Sequence, residues 1–281
     1  GGSLTEVSWR WTLFINIPIG ILLLVLIPRF LGESPRQHGE FDFPGAAVAT
    51  AGLVSLVYGL TYAASHEWTS PTTIITLALG VALLLLFIAA ESRTEHPLLP
   101  MRILADRTRA VSFVSMLIMG AAMFAMFFFI SLFVQQVLGY SPLKAGVAFL
   151  PFTAGIIVSA QTASALASRV DPRWIAGAGA LVSAVGMWGY TQLDVDSTYA
   201  ADLLPWIIVQ SVGMGLVFVP LTLTAVSRVA REDSGVGSAV LNTMQQVGGA
   251  LGLATLGTVA VQASENKAEE LGRLATSGSF D

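Results

Sequence analysis

The 281-residue chain is 54% hydrophobic and only 11% charged, with no cysteine and a formal net charge of −4. Ordinary soluble domains carry roughly 25% charged residues, so this composition excludes a soluble globular core. The missing thiols exclude disulfides, thiol catalysis and thiolate metal sites. With a mild acidic balance and no basic tract, nothing points to a nucleic-acid partner.

All 14 basic and 18 acidic residues lie outside eight stretches, each at least 18 residues long. In chain order these are Trp11 to Pro28, Phe43 to His66, Trp68 to Ala90, Ala110 to Leu143, Ala145 to Ser168, Trp174 to Leu193, Leu203 to Ser227 and Ser234 to Ser264. A hydrocarbon core about 30 Å thick takes roughly 20 apolar residues of helix to cross. Backbone inside it must be helical or part of a closed barrel. The stretches are continuous apolar runs without period-2 alternation, which favours helices. The expected fold class is therefore all-α and integral to a membrane, with eight transmembrane helices.

The first span follows Ser8-Trp9-Arg10-Trp11, indoles suited to a membrane interface, and carries Asn16 and Pro18. Spans two and three, near Pro44 to Ala64 and Thr72 to Ala90, hold nothing more polar than Ser, Thr and Tyr. They join through the short turn from His66 to Pro71 and read as a plain hairpin facing lipid rather than substrate. The longest connector, Glu91 to Arg109, contains Pro97, Pro100 and an apolar patch of Leu98, Leu99, Met101, Ile103 and Leu104. That pattern suits a segment lying at the membrane surface. Five spans follow, richer in Gln and Met, joined mostly by short connectors that make successive helices antiparallel. A boundary is placed near Arg93.

Lys and Arg concentrate in cytoplasmic loops. One set of alternate loops holds Arg29, Arg36, Arg93, Arg102, Arg107, Arg109, Arg169, Arg173, Arg228 and Arg231. The opposite set, with the termini, holds only Arg10, Lys144, Lys267 and Arg273. The first set is assigned to the cytoplasm, and Asp194 to Asp202, with three Asp and no basic residue, to the outside. Both ends of the chain then lie outside. A fragment lacking spans before Gly1 is the simpler expectation, and a helix after the polar tail from Glu265 to Asp281 is expected to be missing too.

An ionisable group at membrane depth is the usual sign of function. No span interior contains one: His38, His66 and His96 sit in loops or at span edges, and Glu6 and Glu91 are boundary acids read as interfacial charges. Uncharged polarity is the next sign. The last span carries Asn242, Gln245 and Gln246 followed by Gly248, Gly249 and Gly252. At about 100° per residue, Asn242, Gln245 or Gln246, Gly249 and Gly252 share one helix face. Such amides bind a ligand or tie helices together, and the small residues admit a close helix. Gln135 with Gln136, Gln161 and Gln210 are further cavity candidates. Met116, Met119, Met123 and Met126 form one stripe continuing to Ile130 and Phe133. Thioethers suit promiscuous apolar recognition, though such a stripe also serves packing or lipid contact. Pro151, Pro205 and Pro220 fall near or inside spans, where a bend is tolerated. An intramembrane enzyme would need a buried nucleophile with a base, or metal ligands, and no span interior supplies them. No catalytic, cofactor or metal site is expected.

Four segments, in order, resemble one family. Gly1-Gly2 with SLTEVSWRWTLFINIPIGILLL, then HPLLPMRILADRTRA, GYSPLKAGVAFLPFTAG and SGVGSAVLNTMQQVGGALGLATLGTV, together resemble the major facilitator superfamily, in particular the fourteen-span drug:proton antiporters of EmrB/QacA type. The resemblance implies that residues 1–42 hold the last span of an N-terminal half and its connector, 43–92 an inserted two-helix hairpin, and 93–281 five spans of a C-terminal bundle without its sixth. SRVDPRW is only a loose version of the family's charged loop motif, and no position matches a proton-coupling acid. The implied function is proton-coupled export of small apolar or cationic compounds by alternating access, driven by the proton gradient without a cofactor. The implied partners are the bilayer, protons, the substrates and the missing N-terminal half, in a multi-pass protein of the bacterial cell membrane. Export of a native metabolite or lipid, or a non-transporting sensor or assembly role, are the alternatives.

Overall fold

The computed structural model describes residues 8–30, 42–94, 97–226 and 234–277. Among them all regular structure is helical. In chain order it comprises α1 (Trp9–Phe14), α2 (Asn16–Phe30), α3 (Phe43–Ser65), α4 (Pro71–Glu91), α5 (Met101–Ala105) and α6 (Arg107–Leu132). A π-type turn (Phe133–Val137) follows, then α7 (Pro142–Ala148), α8 (Leu150–Leu166), α9 (Pro172–Tyr190), a second π-type turn (Tyr199–Leu203), α10 (Leu204–Val226) and α11 (Ser234–Ser277).

Local chemistry sets the helix starts. Asp42 accepts from Gly45 N at 2.9 Å with Pro44 in the first turn, Ser141 accepts from Lys144 N at 3.3 Å ahead of Pro142, and Asp171 accepts from Arg173 N at 3.0 Å ahead of Pro172. A side-chain acceptor satisfies one orphan N–H, and proline in the first turn sacrifices none. Gly139, at φ 64°, turns the chain into α7 in a conformation that side chains with a Cβ rarely adopt. Proline also sets the breaks. Pro18 cannot donate to Phe14, and the first span steps at Ile15 between α1 and α2; Pro151 likewise separates α7 from α8 at Phe149. Pro220, by contrast, sits buried inside α10.

Among the described residues, seven segments are long and apolar enough to cross a bilayer: Arg10–Phe30, Phe43–Ala63, Pro71–Glu91, Arg107–Val137, Pro142–Leu166, Tyr199–Ala225 and Gly235–Glu270. The remaining charge-free window lies largely in α9, a 19-residue helix that opens on Pro172-Arg173 and whose composition falls short of that hydropathy. Counting charges does not penalise Gly177, Gly179, Gly186 and Gly189, nor Trp174, Trp188 and Tyr190, and these dilute its Val and Leu. Large apolar side chains lie outward all along the helices, Leu24 and Leu181 more than 70% exposed, as lipid-facing surfaces require. This is an all-α, multi-span membrane fold.

Contacts divide the chain into two compact units. The first contains residues 1–40 and 129–220, and at its centre α10 packs against both α8 and α9. Side chains are small at each approach. A Cβ on Gly179, Gly186 or Gly213 would come within 3.0 Å of the facing helix, and one on Gly155 or Gly215 would strike the hydroxyl of Ser211 or Ser159. Ser159 Oγ donates across to Ser211 O at 3.2 Å. Tyr199 OH donates to Ala148 O at 2.7 Å, tying the turn that leads into α10 to α7.

The second unit contains residues 41–128 and 221–281. Here α3 and α4 form an antiparallel hairpin in which Gly52 meets Leu84, Gly59 meets Thr76 and Gly80 meets Leu56, with Ser55 Oγ donating to Thr76 O at 2.8 Å. The hairpin is not surrounded only by lipid: α3 also packs along α11, and Trp68 Nε1 donates to Thr258 Oγ1 at 2.8 Å at the far end. Glu91, read from sequence as an interfacial charge, is 2% exposed; its Oε2 accepts from Leu99 N at 3.0 Å. Gly45 makes room for it, since a methyl there would stand 3.0 Å from Glu91 Oε1 and against Asp42 Oδ2. Glu6 lies outside the described residues, as do His38, His96, Arg228 and Arg231.

Candidate functional site

The second unit places α6 and α11 in direct backbone contact. A Cβ on Gly120 would strike the carbonyl of Gln245, and one on Gly248 would strike that of Leu117. A Cβ on Gly252 would stand 2.6 Å from Ala121, and one on Gly249 2.6 Å from the Phe124 ring. Moving four residues on, from Leu117 to Ala121, also moves four residues on in the partner, from Gly248 to Gly252, so the two helices run parallel. The contact line is Leu117, Gly120, Ala121 and Phe124 against Gln245, Gly248, Gly249 and Gly252. In lipid no hydrophobic force drives helices together, and small residues of this kind let backbones approach until dispersion and weak polar contacts hold them.

The amide candidates stand at this seam in different ways. Gln245 contributes its backbone carbonyl to the contact and is half-buried. Asn242 and Gln246 are exposed and, by helical rotation, lie to one side of the line. Asn242 Nδ2 donates to Ser238 O at 3.1 Å within its own helix, leaving its Oδ1 directed at no described partner. The seam therefore offers two outward amides beside a tightly packed helix pair.

The methionine stripe lies on another face of α6, roughly 130° round the helix from the line that touches α11 at about 100° per residue. Met116 and Met126 are each 2% exposed, whereas Met119 and Met123 are half-buried. The stripe is turned into protein rather than lipid, and it does not share a face with the amides.

The remaining candidates belong to the first unit. Gln210 is completely buried between α10 and α9; its Nε2 donates to Ser183 Oγ at 2.9 Å and its Oε1 accepts no hydrogen bond. Gly186 allows this, because a Cβ there would stand 2.7 Å from that oxygen. Gln161 is exposed on α8. Gln135 is exposed on the π-type turn after α6, where Leu138 N reaches back five residues to Phe133 O at 3.1 Å, and its Nε2 donates to Ser131 Oγ at 2.8 Å. Gln210 thus has an amide N–H committed to helix packing, whereas Gln161 and Gln135 face outward.

Among the described residues, no three His, Asp or Glu side chains are grouped so that they could hold a metal ion. A cavity of about 390 Å³ does open within the second unit, bounded by α3, α4, the connector and the first turns of α11. Its lining is apolar apart from Thr50 and Thr243. Sequence reasoning did not find it, since its walls come from four separate segments whose only common signal is ordinary hydrophobicity.

These helices and their lipid-facing surfaces define a multi-pass integral membrane protein. Residues 1–253 match the family model described as Major Facilitator Superfamily, and the chain belongs to that family. It is similar to the puromycin resistance protein of Streptomyces alboniger (39% identical over 274 residues, covering 94% of this chain and 53% of the relative). It is also similar to the cephamycin export protein of Amycolatopsis lactamdurans (38% over 277 residues, 96% and 57%). A third relative is the tetracenomycin C resistance and export protein of Streptomyces glaucescens (32% over 262 residues, 92% and 48%). The chain thus spans about half the length of the curated relatives it matches.

Proposed function

We propose that this chain forms part of a membrane exporter, not an enzyme, that moves small, largely apolar or cationic compounds out of a bacterial cell by alternating access. The observation that carries this reading is similarity along nearly the whole chain to proteins named for resistance to, or export of, three different antibiotics. Residues 43–92 would be the hairpin inserted between two bundles, and 93–281 five spans of the second bundle.

The second unit supports the reading chemically. Asn242 and Gln246 supply hydrogen-bonding capacity without charge, which suits polar groups on otherwise apolar molecules. The close backbone contact of the α6–α11 seam at Gly120, Gly248 and Gly252 suits a pair that moves as one body. Transporters of this general plan rock repeats or bundles about a central site. Energy would come from protons running down their gradient, as the family resemblance implies.

The test is uptake of puromycin and of a fluorescent cation by everted vesicles containing the full-length protein. Accumulation should appear on imposing an inward-acid gradient and collapse with a protonophore. Gradient-independent accumulation would remove proton coupling, and no accumulation of any tested compound would remove the export reading.

A further inference from the structure

We propose that the cavity between α3, α4, the connector and α11 holds one acyl chain of an anionic phospholipid drawn from the cytoplasmic leaflet. The inference rests on the membrane orientation and not on the export reading.

The cavity is at the right depth. Its walls come from the first turns of α3 and α11 and the last turns of α4. By the distribution of Arg these are the cytoplasmic ends of three spans. Its lining, including Leu53, Phe87, Leu98 and Met244, offers two hydroxyls in all. A bound water needs two to four polar partners and therefore finds no stable place along most of this surface. Hydrocarbon does. A methylene is close in size to a water molecule, whose share of the liquid is about 30 Å³, so a 390 Å³ space takes roughly a dozen such groups, much of one acyl chain.

The charge beside the cavity selects the headgroup. Residues 92–109 carry four Arg against Glu95 and Asp106. Leu98, Leu99 and Leu104 of this connector line the cavity, while Arg93 and Arg102 are exposed on the same short segment. Arg109 Nη2 donates to Arg102 O at 3.1 Å while its Nε stands 3.8 Å from Asp106 Oδ1, so this guanidinium steadies α5 and its charge is offset by Asp106. Glu91, just before the connector, is turned inward and bound to Leu99 N, and so adds no charge to this surface; Glu95 lies outside the described residues. Basic clusters at the cytoplasmic ends of spans attract anionic lipid headgroups. An apolar slot beneath such a cluster is complementary to one molecule: a phosphodiester at the Arg and a fatty chain below it.

The test uses the full chain reconstituted with equal phosphatidylglycerol and phosphatidylcholine, stripped stepwise with mild detergent, and read by native mass spectrometry. One phosphatidylglycerol per chain should survive stripping. Ala239→Trp, which fills the cavity from α11, should lower retention about fivefold or more, and R93Q/R102Q should bring the preference for phosphatidylglycerol over phosphatidylcholine close to one. R93Q/R102Q leaves the cavity untouched, so the proposal stays testable even if the tryptophan variant does not fold. Full retention in a folded A239W, no retained lipid in the parent, or equal retention of both lipids would overturn it. Displacement of the lipid by the fluorescent cation would also overturn it, by reassigning the cavity to export cargo.

Discussion

Leu99 N donates to Glu91 Oε2 at 3.0 Å, and through this one bond the connector is folded back over the end of the hairpin that precedes it. The bond sets Leu98 and Leu99 against α3, α4 and α11 as one wall of the apolar cavity. Glu91→Ala leaves a part-buried N–H without an acceptor and should cost about 1–3 kcal/mol. Glu91→Gln retains an acceptor oxygen and should stay near the parent. Thermal unfolding in detergent, followed by size-exclusion chromatography, reads the difference. Equal midpoints for E91A and the parent would show that the bond does not matter.

The α6–α11 seam separates glycines that are needed from glycines that are not. A methyl on Gly248 would run into the Leu117 carbonyl, which belongs to backbone and cannot rotate away, whereas a methyl on Gly257, in the same helix, meets nothing within 4 Å. Gly248→Ala is expected to destabilise. Gly257→Ala should stabilise by about 0.5–1 kcal/mol, the usual helical gain over glycine. Comparing the two melting midpoints checks this, and a stabilised G248A would contradict the seam.

Gln210 and Ser183 should behave as a coupled pair. Ser183→Ala strands a buried amide N–H, a costly change, while Ser183→Ala with Gln210→Leu removes donor and acceptor together. Coupling between polar groups inside membrane proteins averages about 0.6 kcal/mol. A double-mutant cycle on unfolding free energy should therefore give a coupling of that order, and a value of zero would mean the bond contributes nothing.

The absence of cysteine makes topology directly measurable. Ser197→Cys, in the Asp-rich segment, should react with a membrane-impermeant maleimide on intact cells. Arg102→Cys should react only after the membrane is opened. Labelling of R102C on intact cells would invert the assignment.

If the outward amides meet cargo, Asn242→Ala and Gln246→Ala in the full-length protein should raise the KM for export several-fold at unchanged surface expression, each lost hydrogen bond being worth about 1 kcal/mol. An unchanged KM in both would assign those amides to lipid or helix contacts.

Membrane insertion and helical class could be read from the sequence, because hydrocarbon forbids charge and unpaired backbone so strictly that composition alone records where the bilayer lies. Helix starts rest on local sequence too, in Asp42 with Pro44, Ser141 with Pro142 and Asp171 with Pro172, since a cap acts within one turn of chain, but the charge-free windows alone do not mark them. Three-dimensional packing decided the rest. Whether Glu91 met water or Leu99, which face of α6 received its methionines, and whether Gly248 touched lipid or Leu117 all depend on segments far apart in sequence. Inside a membrane both choices look equally apolar along the chain; only the meeting of distant surfaces at van der Waals distance tells them apart.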